Sequence, residues 1–422
     1  MNEEFLHYIW QHKLYKPELF TINGESVEVI HPGTKNTDGG PDFFNAKIKI
    51  DGTLWAGNVE IHQNAKEWYE HQHHKDSAYD NVILHVVEKN SSTTLNSKQR
   101  EIPVCLIEIG KELQLKYQQL YFNELWIPCA DVVSGINEFT LHQWIERLLI
   151  EKLEEKSILI EALLEESKNN WDQVFFILLC RSFGFGINGL PFELMARQTP
   201  FTTLLKHADN PFQVEALLLG QAGFLNEAMT DHYAKELKKE YVFLSQKYQL
   251  KAIDGHIWKF HRLRPANFPT IRLAQLSQLI ASLKGCFDPL LNLKNTSHPL
   301  LNMQITISDY WKEHYRLNMR SSRSSAKTLG KQSRLRIIYN TIIPYLFIYS
   351  AKHHDEEQKE KIIDYLYQQP AEKNKTIENW AAIGILSKNE AQAQALLHLK
   401  KNYCNHNKCL TCHIGHKVLC KA

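Results

Sequence analysis

The chain has 422 residues, of which 43% are hydrophobic and 23% are charged. This is the composition of an ordinary globular protein, so it excludes collagen-like structure and disorder over most of the chain. The formal net charge is only +2, so a nucleic-acid site would be a local basic patch and not a field of the whole molecule.

The first 110 residues predict a mixed region of short helices and strands. Strands are indicated by alternation or by β-branched runs, and Asp51-Gly52 is a dipeptide that closes hairpins. The predicted order is a helix over 3–12, strands over 25–31, 43–50 and 53–61, a helix over 66–79, and strands over 81–87 and 101–109.

From about residue 138 the hydrophobic period changes to 3.6, which predicts helices. They are expected over 141–165, 171–183, 192–207, 211–225, 232–248, 270–283, 300–315, 330–350, 356–367 and 389–403. We therefore predict an α+β protein with an α/β domain over 1–130, a large all-helical domain over 138–402 and a Cys-rich knuckle over 403–422. We see no signal peptide and no membrane-spanning stretch, which favours a cytoplasmic protein without a membrane partner.

Two carboxylates are expected to meet at the ends of neighbouring strands. Asp42 follows Pro41 nine residues before the Asp51-Gly52 turn, and Glu60 lies eight residues after it. Carboxylate oxygens are the ligands that Mg²⁺ or Mn²⁺ prefers, and such an ion activates water and polarises a phosphodiester. His62 projects from the same strand face as Glu60 and is placed to position or deprotonate that water.

This order of elements, with Pro-Asp at the head of one strand and Glu-x-His on the next, resembles the PD-(D/E)XK phosphodiesterase superfamily. The resemblance implies a restriction-endonuclease-like αβββαβ domain in which Asp42 and Glu60 hold the metal ion. His62 stands where that superfamily usually has Lys, and a neutral imidazole does not supply the permanent cation of Lys. As a whole, the chain also resembles an uncharacterised bacterial protein family, through GGPDF, NVEIH, HQHHKD and the Cys-rich end.

The histidines of the segment 67–87 are the next candidates. We expect His71, Asp76 and His85 to surround the Asp42/Glu60 pair, because a buried strand seldom carries a histidine without a partner. One alternative is an ordinary polar network between helix and strand, with His73 and His74 solvated. Another is a zinc site built from these histidines with Glu60, although no two of them have HExxH spacing.

Two basic segments are candidates for contacts with phosphate. Segment 258–272 interleaves basic residues with aromatic ones, a mixture that suits single-stranded nucleic acid. Segment 312–336 holds eight basic residues, one acidic residue and a Ser-rich centre. The predicted contacts are Arg262, Arg264, Arg320, Arg323 and Lys327. The alternatives are aromatic core for the first segment and a solvated linker for the second.

Four of the eight cysteines lie in the last nineteen residues. Cys404, Cys409, Cys412 and Cys420 follow the pattern C-x4-C-x2-C-x7-C, and the C-x2-C part allows two thiolates to reach one metal. We predict a zinc site, with an iron–sulfur cluster as the alternative and free thiols as a third possibility. His413 or His416 could replace one of the cysteines as a ligand.

Together these features predict a metal-dependent nuclease that acts on DNA or RNA. The alternative is a catalytically inactive nucleic-acid-binding or scaffold protein on the same fold. The absence of the usual Lys at position 62 is the feature that favours this alternative.

Overall fold

A computed structural model of the protein describes residues 2–89, 92–293 and 297–420. The chain divides into two compact units. The first contains residues 1–144, 378–385 and 399–422, and the second contains residues 145–377 and 386–398. The predicted α+β class is confirmed, because a sheet occupies the N-terminal part and the following region is largely helical.

The main sheet lies in the first unit. Its strands run in the order β1-β2-β4-β5-β6-β9, and β3 also pairs with β4. The strands are β1 (Leu19–Phe20), β2 (Ser26–His31), β3 (Thr34–Lys35), β4 (Phe43–Ile50), β5 (Thr53–Asn64), β6 (Val82–Lys89), β7 (Thr94–Leu95), β8 (Glu101–Ile102), β9 (Val104–Leu106), β10 (His314–Arg316) and β11 (Met319–Arg320). β7 pairs with β8 and β10 pairs with β11 in separate two-stranded sheets.

Most helices lie in the second unit. In chain order, the helices up to residue 248 are α1 (Glu3–Gln11), α2 (Glu67–Glu70), α3 (Lys111–Phe122), α4 (Glu138–Glu154), α5 (Ser157–Glu166), α6 (Trp171–Phe183), α7 (Gly189–Arg197), α8 (Phe201–Leu205), α9 (Pro211–Gln221) and α10 (His232–Tyr248). The rest has α11 (Pro269–Ser282), α12 (Asp288–Leu291), α13 (Pro299–Asn302), α14 (Lys331–Ile337), α15 (Ile343–Lys352), α16 (Glu356–Gln368), α17 (Lys375–Ala382), α18 (Glu390–Asn402) and α19 (His413–Cys420).

The hairpin of β4 and β5 forms at the predicted turn. Asp51 and Gly52 have φ of 45° and 80°, and two successive positive φ values are what a tight hairpin turn requires. β4 pairs antiparallel with both β2 and β5, whereas β5 and β6 are parallel. The hairpin therefore returns Glu60 to the start of β4, and the parallel pairing places His85 of β6 opposite Glu60.

Two of the predicted helices are interrupted near a proline. The helix predicted over 192–207 divides into α7 and α8 at Pro200, which lacks a backbone N–H. The helix predicted over 330–350 contains a π-helical turn at Ile338–Ile342, just before Pro344. Pro344 cannot donate to the carbonyl of Asn340, and the ammonium of Lys156 donates to that carbonyl instead.

Two other predicted helices are wrong over most of their length. Residues 300–315 form only the end of α13, a 3-10 turn and β10. Residues 66–79 form the single turn of α2 and then two 3-10 turns, because Gln72 adopts a left-handed conformation with φ of 63°. No helix within the described ranges 2–89, 92–293 and 297–420 is long and apolar enough to span a bilayer.

Candidate active site

Asp42 and Glu60 are held together by two reciprocal hydrogen bonds between the start of β4 and the end of β5. The backbone N–H of Asp42 donates to Glu60 Oε2 at 3.1 Å, and the backbone N–H of Ile61 donates to Asp42 Oδ2 at 2.8 Å. Each carboxylate therefore has one oxygen tied to the backbone of the other strand. Both are fixed in direction, as a metal site requires.

The two carboxylates differ in exposure and therefore in electrostatics. The side chain of Asp42 is 17% exposed and that of Glu60 is 5% exposed. Burial, and then the neighbouring Asp42 charge, raise the pKa of Glu60 to about 9. A buried carboxylate next to a second carboxylate is costly in its ionised form unless a cation compensates both charges.

Helix α1 brings a second acid and an imidazole to Asp42. His7 Nε2 lies 3.2 Å from Asp42 Oδ2 and 3.8 Å from Glu3 Oε1. This buried nitrogen makes no aligned hydrogen bond, although it lies among carboxylate oxygens. Ligand atoms of Glu3, His7 and Asp42 all lie within 4.8 Å of one another, a spacing that could hold a metal ion.

Sequence reasoning missed Glu3 and His7. Their spacing of four residues puts them on one face of α1, and most of the residues between and after them are buried apolar side chains. A polar i,i+4 pair on such a helix is a usable signal, but nothing in the sequence connects it to residue 42.

His62 is fully buried and forms the start of a hydrogen-bonded chain. Its Nδ1 lies 2.9 Å from His85 Nε2, and His85 Nδ1 lies 3.0 Å from Thr94 Oγ1. The Thr94 hydroxyl donates in turn to the carbonyl of Ser92. Burial lowers the pKa of His62 to about 2 and that of His85 to about 3, so both rings are neutral. His85 therefore contacts His62, whereas the sequence analysis expected it around the Asp42/Glu60 pair.

The other ring nitrogen of His62 faces the site. His62 Nε2 lies 3.2 Å from His71 Nδ1 and 3.6 Å from Glu60 Oε1. His73 Nε2 lies 3.3 Å from the same Glu60 oxygen. Ligand atoms of His62, His71 and His73 all lie within 4.8 Å of one another, so these three rings form a second group that could hold a metal ion.

The left-handed Gln72 explains why His73 is in the site. A continuous helix would have placed His71, Lys75 and Tyr79 on one face, and this expectation is wrong. Instead His71 stays exposed, while His73 is buried with its ring stacked on Tyr79 at 3.9 Å. The expectation that His73 is solvated is therefore also wrong.

Asp76 has a local structural role. Its carboxylate accepts the backbone N–H of Ala78 at 2.9 Å and so caps the second 3-10 turn. Its charge still acts on the site, because it raises the pKa of His73 against the larger lowering effect of burial. Asp76 is thus a neighbour of the imidazoles and not one of the groups that meet at Glu60.

Three of the C-terminal cysteines have Cys129 as a neighbour. Burial, followed by the nearby Cys412 and Cys409 thiols, raises the pKa of Cys129 to about 12. Burial also raises the pKa of Cys404, followed by the effects of Cys412, Cys129 and Cys409. Cys420 is exposed, with its Sγ 3.8 Å from Tyr8 Oη and 3.7 Å from His416 Nε2. Cys129 is far from the other cysteines in the sequence, and the sequence analysis did not include it among the candidate ligands.

The predicted phosphate contacts fall into two groups. Arg262, Arg264, Arg320 and Arg323 are exposed, and Arg320 forms an ion pair with Glu313 at 2.6 Å. Lys327 is 6% exposed, and its ammonium donates to the carbonyls of Trp311, Lys312 and Ser325. The prediction that Lys327 is an exposed phosphate contact is therefore wrong.

Comparison with known proteins adds a family and no activity. A family model described as "Protein of unknown function (DUF2851)" matches residues 3–375. The chain belongs to that family, which confirms the expected membership of an uncharacterised family. No curated protein and no solved structure matches the chain.

Proposed function

We propose that this member of the DUF2851 family is a metal-dependent nuclease, which hydrolyses phosphodiester bonds of DNA or RNA with Mg²⁺ or Mn²⁺ at Asp42 and Glu60. The observation that carries the proposal is the pair of reciprocal hydrogen bonds between these residues. They hold two carboxylates side by side, and this arrangement is favourable when a divalent cation lies between them.

The order of the elements supports the same function. When the two-residue strands β1 and β3 are set aside, α1, β2, β4, β5, α2 and β6 have the order αβββαβ, with β4 antiparallel to β2 and β5, and β6 parallel to β5. This is the order that the PD-(D/E)XK resemblance implies. Asp42 precedes the second of these strands and Glu60 lies on the third, as the resemblance also implies.

The proposed reaction needs the ion for two purposes. A divalent ion at Asp42 and Glu60 polarises the phosphoryl group and lowers the pKa of an attacking water. Glu3 and His7 are available to complete its ligands. His62 is buried with both ring nitrogens engaged, so we assign it a positioning role beside Glu60 in place of the general-base role that the sequence suggested.

One observation favours the alternative, a catalytically inactive nucleic-acid-binding or scaffold protein. The position of the usual Lys is held by His62, which is neutral and 0% exposed. Because His62 is neutral, it does not stabilise the charge of the phosphate in the transition state as Lys would. That stabilisation then depends on the metal ion. A cleavage assay separates the two functions.

The test is metal-dependent cleavage of single- and double-stranded DNA and RNA by wild type, Asp42→Asn and Glu60→Gln. Both substitutions keep size and a hydrogen-bond acceptor but remove charge, so each should abolish cleavage while leaving the fold intact. Mg²⁺ should raise the melting temperature of wild type and not of either variant. Asp38→Asn, a change of an exposed carboxylate in the loop before β4, is the matched control. Equal Mg²⁺ stabilisation of all four proteins would rule out the site.

We further propose that the C-terminal cysteines bind one zinc ion, with an iron–sulfur cluster as the alternative. Cys404, Cys409 and Cys412 are the common ligands, and either Cys420 or Cys129 completes the four. The structural support for Cys129 is its burial and its place beside Cys409 and Cys412. Zinc at this position would stabilise a segment too short to fold around its own core.

Metal analysis of cysteine variants tests the proposal. Cys409→Ser and Cys412→Ser should each lose about one zinc per chain relative to wild type. Cys129→Ser and Cys420→Ser form a matched pair, of which only the variant that removes the fourth ligand should lose the ion. Visible absorption and bound iron would identify a cluster instead. Unchanged metal content in the Cys409 and Cys412 variants would contradict the site.

A further inference from the structure

We propose that His62, His71 and His73 hold a zinc ion next to the Asp42 group, with Glu60 as its fourth ligand. Three imidazoles and a carboxylate are a ligand set typical of zinc and other borderline transition metals, whereas Mg²⁺ prefers oxygen. The ion would therefore differ in kind from the one proposed at Asp42.

Three of the six distances among these four ligand atoms are close to those of one tetrahedral shell. Zinc binds imidazole nitrogen and carboxylate oxygen at roughly 2.0–2.2 Å, so ligand atoms of one tetrahedron are about 3.3–3.6 Å apart. His62 Nε2 is 3.2 Å from His71 Nδ1 and 3.6 Å from Glu60 Oε1. His73 Nε2 is 3.3 Å from the same Glu60 oxygen. Two of these three distances lie within that range, and the third, between His62 and His71, is slightly shorter at 3.2 Å.

The hydrogen-bond chain behind His62 directs a lone pair into this site. In the tautomer in which the Thr94 hydroxyl donates to the carbonyl of Ser92, 3.5 Å away, Thr94 Oγ1 accepts the Nδ1–H of His85. His85 Nε2 then accepts the Nδ1–H of His62, which leaves His62 Nε2 unprotonated and facing a carboxylate oxygen. Metal-bound histidines usually donate their second N–H in this way, and the partner fixes the tautomer and the ring orientation.

The other two imidazoles are positioned differently. His73 is held by its stacking on Tyr79 and by an edge contact with Trp68, whose ring centroid is 5.3 Å away. His71 is exposed, so its substitution should be tolerated by the fold. Because His71 is exposed, the side of the ion next to His71 would be the side nearest to solvent.

Glu60 connects the two groups of ligands. Its Oε1 faces His62 and His73, while its Oε2 accepts the N–H of Asp42. The carboxylate is thus placed to serve both ions, as bridging carboxylates do in two-metal hydrolases. Only this shared role rests on the proposed nuclease function; zinc binding by the imidazoles does not depend on it.

Zinc content of purified protein tests the site without an activity assay. His71→Ala and His73→Ala should each lose about one zinc per chain relative to wild type. His74→Ala, which changes a histidine of the same segment outside the triad, should keep that zinc, and so should Cys412→Ser, apart from any zinc of the cysteine site. A folded His71→Ala and a folded His73→Ala with the zinc content of wild type would overturn the proposal.

Cobalt substitution gives a second measurement, in case one variant loses its fold. Stripped wild type reloaded with Co²⁺ should show the visible absorption of tetrahedral cobalt, and His71→Ala should lose the part due to nitrogen and oxygen ligands. Asp42→Asn should keep this absorption while losing Mg²⁺-dependent cleavage. Absorption that is unchanged by His71→Ala would overturn the zinc site. Cleavage that is unchanged by Asp42→Asn would overturn the proposed nuclease site and leave the zinc site standing.

Discussion

The cluster of Glu60, His62 and His73 and the basic loop around Lys327 both have sequence patterns typical of functional sites. In the structure, however, their polar groups are arranged differently. In the loop, Lys327 donates to three carbonyls, and the indole of Trp311 donates to Glu215 at 2.7 Å. These polar groups satisfy one another. In the cluster, the Nε2 atoms of His62 and His73 converge on the same oxygen of Glu60, at 3.6 and 3.3 Å. Polar groups that satisfy one another indicate structure, whereas lone pairs that converge indicate a ligand.

Among the tests of this contrast, Lys327→Met is expected to have the largest effect on stability. The substitution removes the ammonium from three carbonyls, of which that of Trp311 is buried, so we expect a loss of roughly 1–3 kcal/mol in the free energy of unfolding. Lys312→Met is the control, because the Lys312 side chain is 48% exposed and forms an ion pair with Asp309; its effect should stay below about 0.5 kcal/mol. Denaturant unfolding measures both. A Lys327 variant as stable as its control would return this lysine to the candidate phosphate contacts.

The carboxyl of Glu215 gives the loop network a pH dependence. Burial raises the pKa of Glu215 to about 7, although the hydrogen bond from Trp311 lowers it. Because the folded state holds the proton more tightly, the stabilisation is complete below about pH 4.5 and is lost as the pH rises through 7. Its size is up to about 3 kcal/mol.

Glu215→Gln should remove this pH dependence, because the amide oxygen still accepts the Trp311 N–H and does not ionise. We expect wild type to lose more stability than the variant between pH 5 and pH 8 in thermal melts. The difference between the two proteins isolates Glu215 from other titrating groups. Parallel pH profiles for the two proteins would show that Glu215 ionises at its ordinary pKa.

Thr94→Val tests the hydrogen-bonded chain that runs from Thr94 through His85 to His62, and its expected effect on stability is smaller. The substitution keeps the shape but removes the acceptor of His85 Nδ1, so the chain no longer fixes the tautomer of His62. We expect zinc affinity to fall roughly 10–100-fold and stability to fall by about 1 kcal/mol. Thr93→Val, at an exposed neighbour, is the control. An unchanged zinc affinity in Thr94→Val would show that this hydrogen-bonded chain does not influence zinc binding.

The sequence was sufficient to predict the hairpin and the meeting of its two acids. Alternation in β4 and β5 and the Asp51-Gly52 turn fix the register near the turn, and counting from the turn brings Asp42 within one residue of Glu60. A bulge between Phe43 and Ala46, which the sequence did not predict, shifts the register by one residue and sets Phe43 opposite Val59. Glu3 and His7 could not be predicted, because the packing of α1 on this edge leaves no pattern that relates residue 7 to residue 42.

The predictions for His73 and Lys327 were wrong for a similar reason. In each case, the environment of the side chain depends on a single backbone conformation or on hydrogen bonds to distant residues. The left-handed Gln72 breaks a helical period and turns His73 inward, and glutamine carries no signal for that conformation. Lys327 lies in a Ser-rich, mostly exposed segment, and its burial depends on carbonyls up to sixteen residues earlier. Local composition describes neither case.

The smallest effect on stability, and the sharpest test of the exposed side of the loop, is expected for Arg320→Ala combined with Arg323→Ala. Both side chains are exposed, so the double variant should stay within about 0.5 kcal/mol of wild type. If both contact phosphate, each contributes roughly 0.7–0.9 to the slope of log affinity against log salt, so the double variant should flatten that slope by about 1.4–1.8. The loss should be the same for different sequences, because phosphate contacts carry no base information. Lys235→Ala combined with Lys239→Ala removes two exposed charges from α10 and controls for net charge. If both double variants change the slope equally, the effect belongs to the net charge of the protein, and the loop arginines are no more than part of a solvated surface.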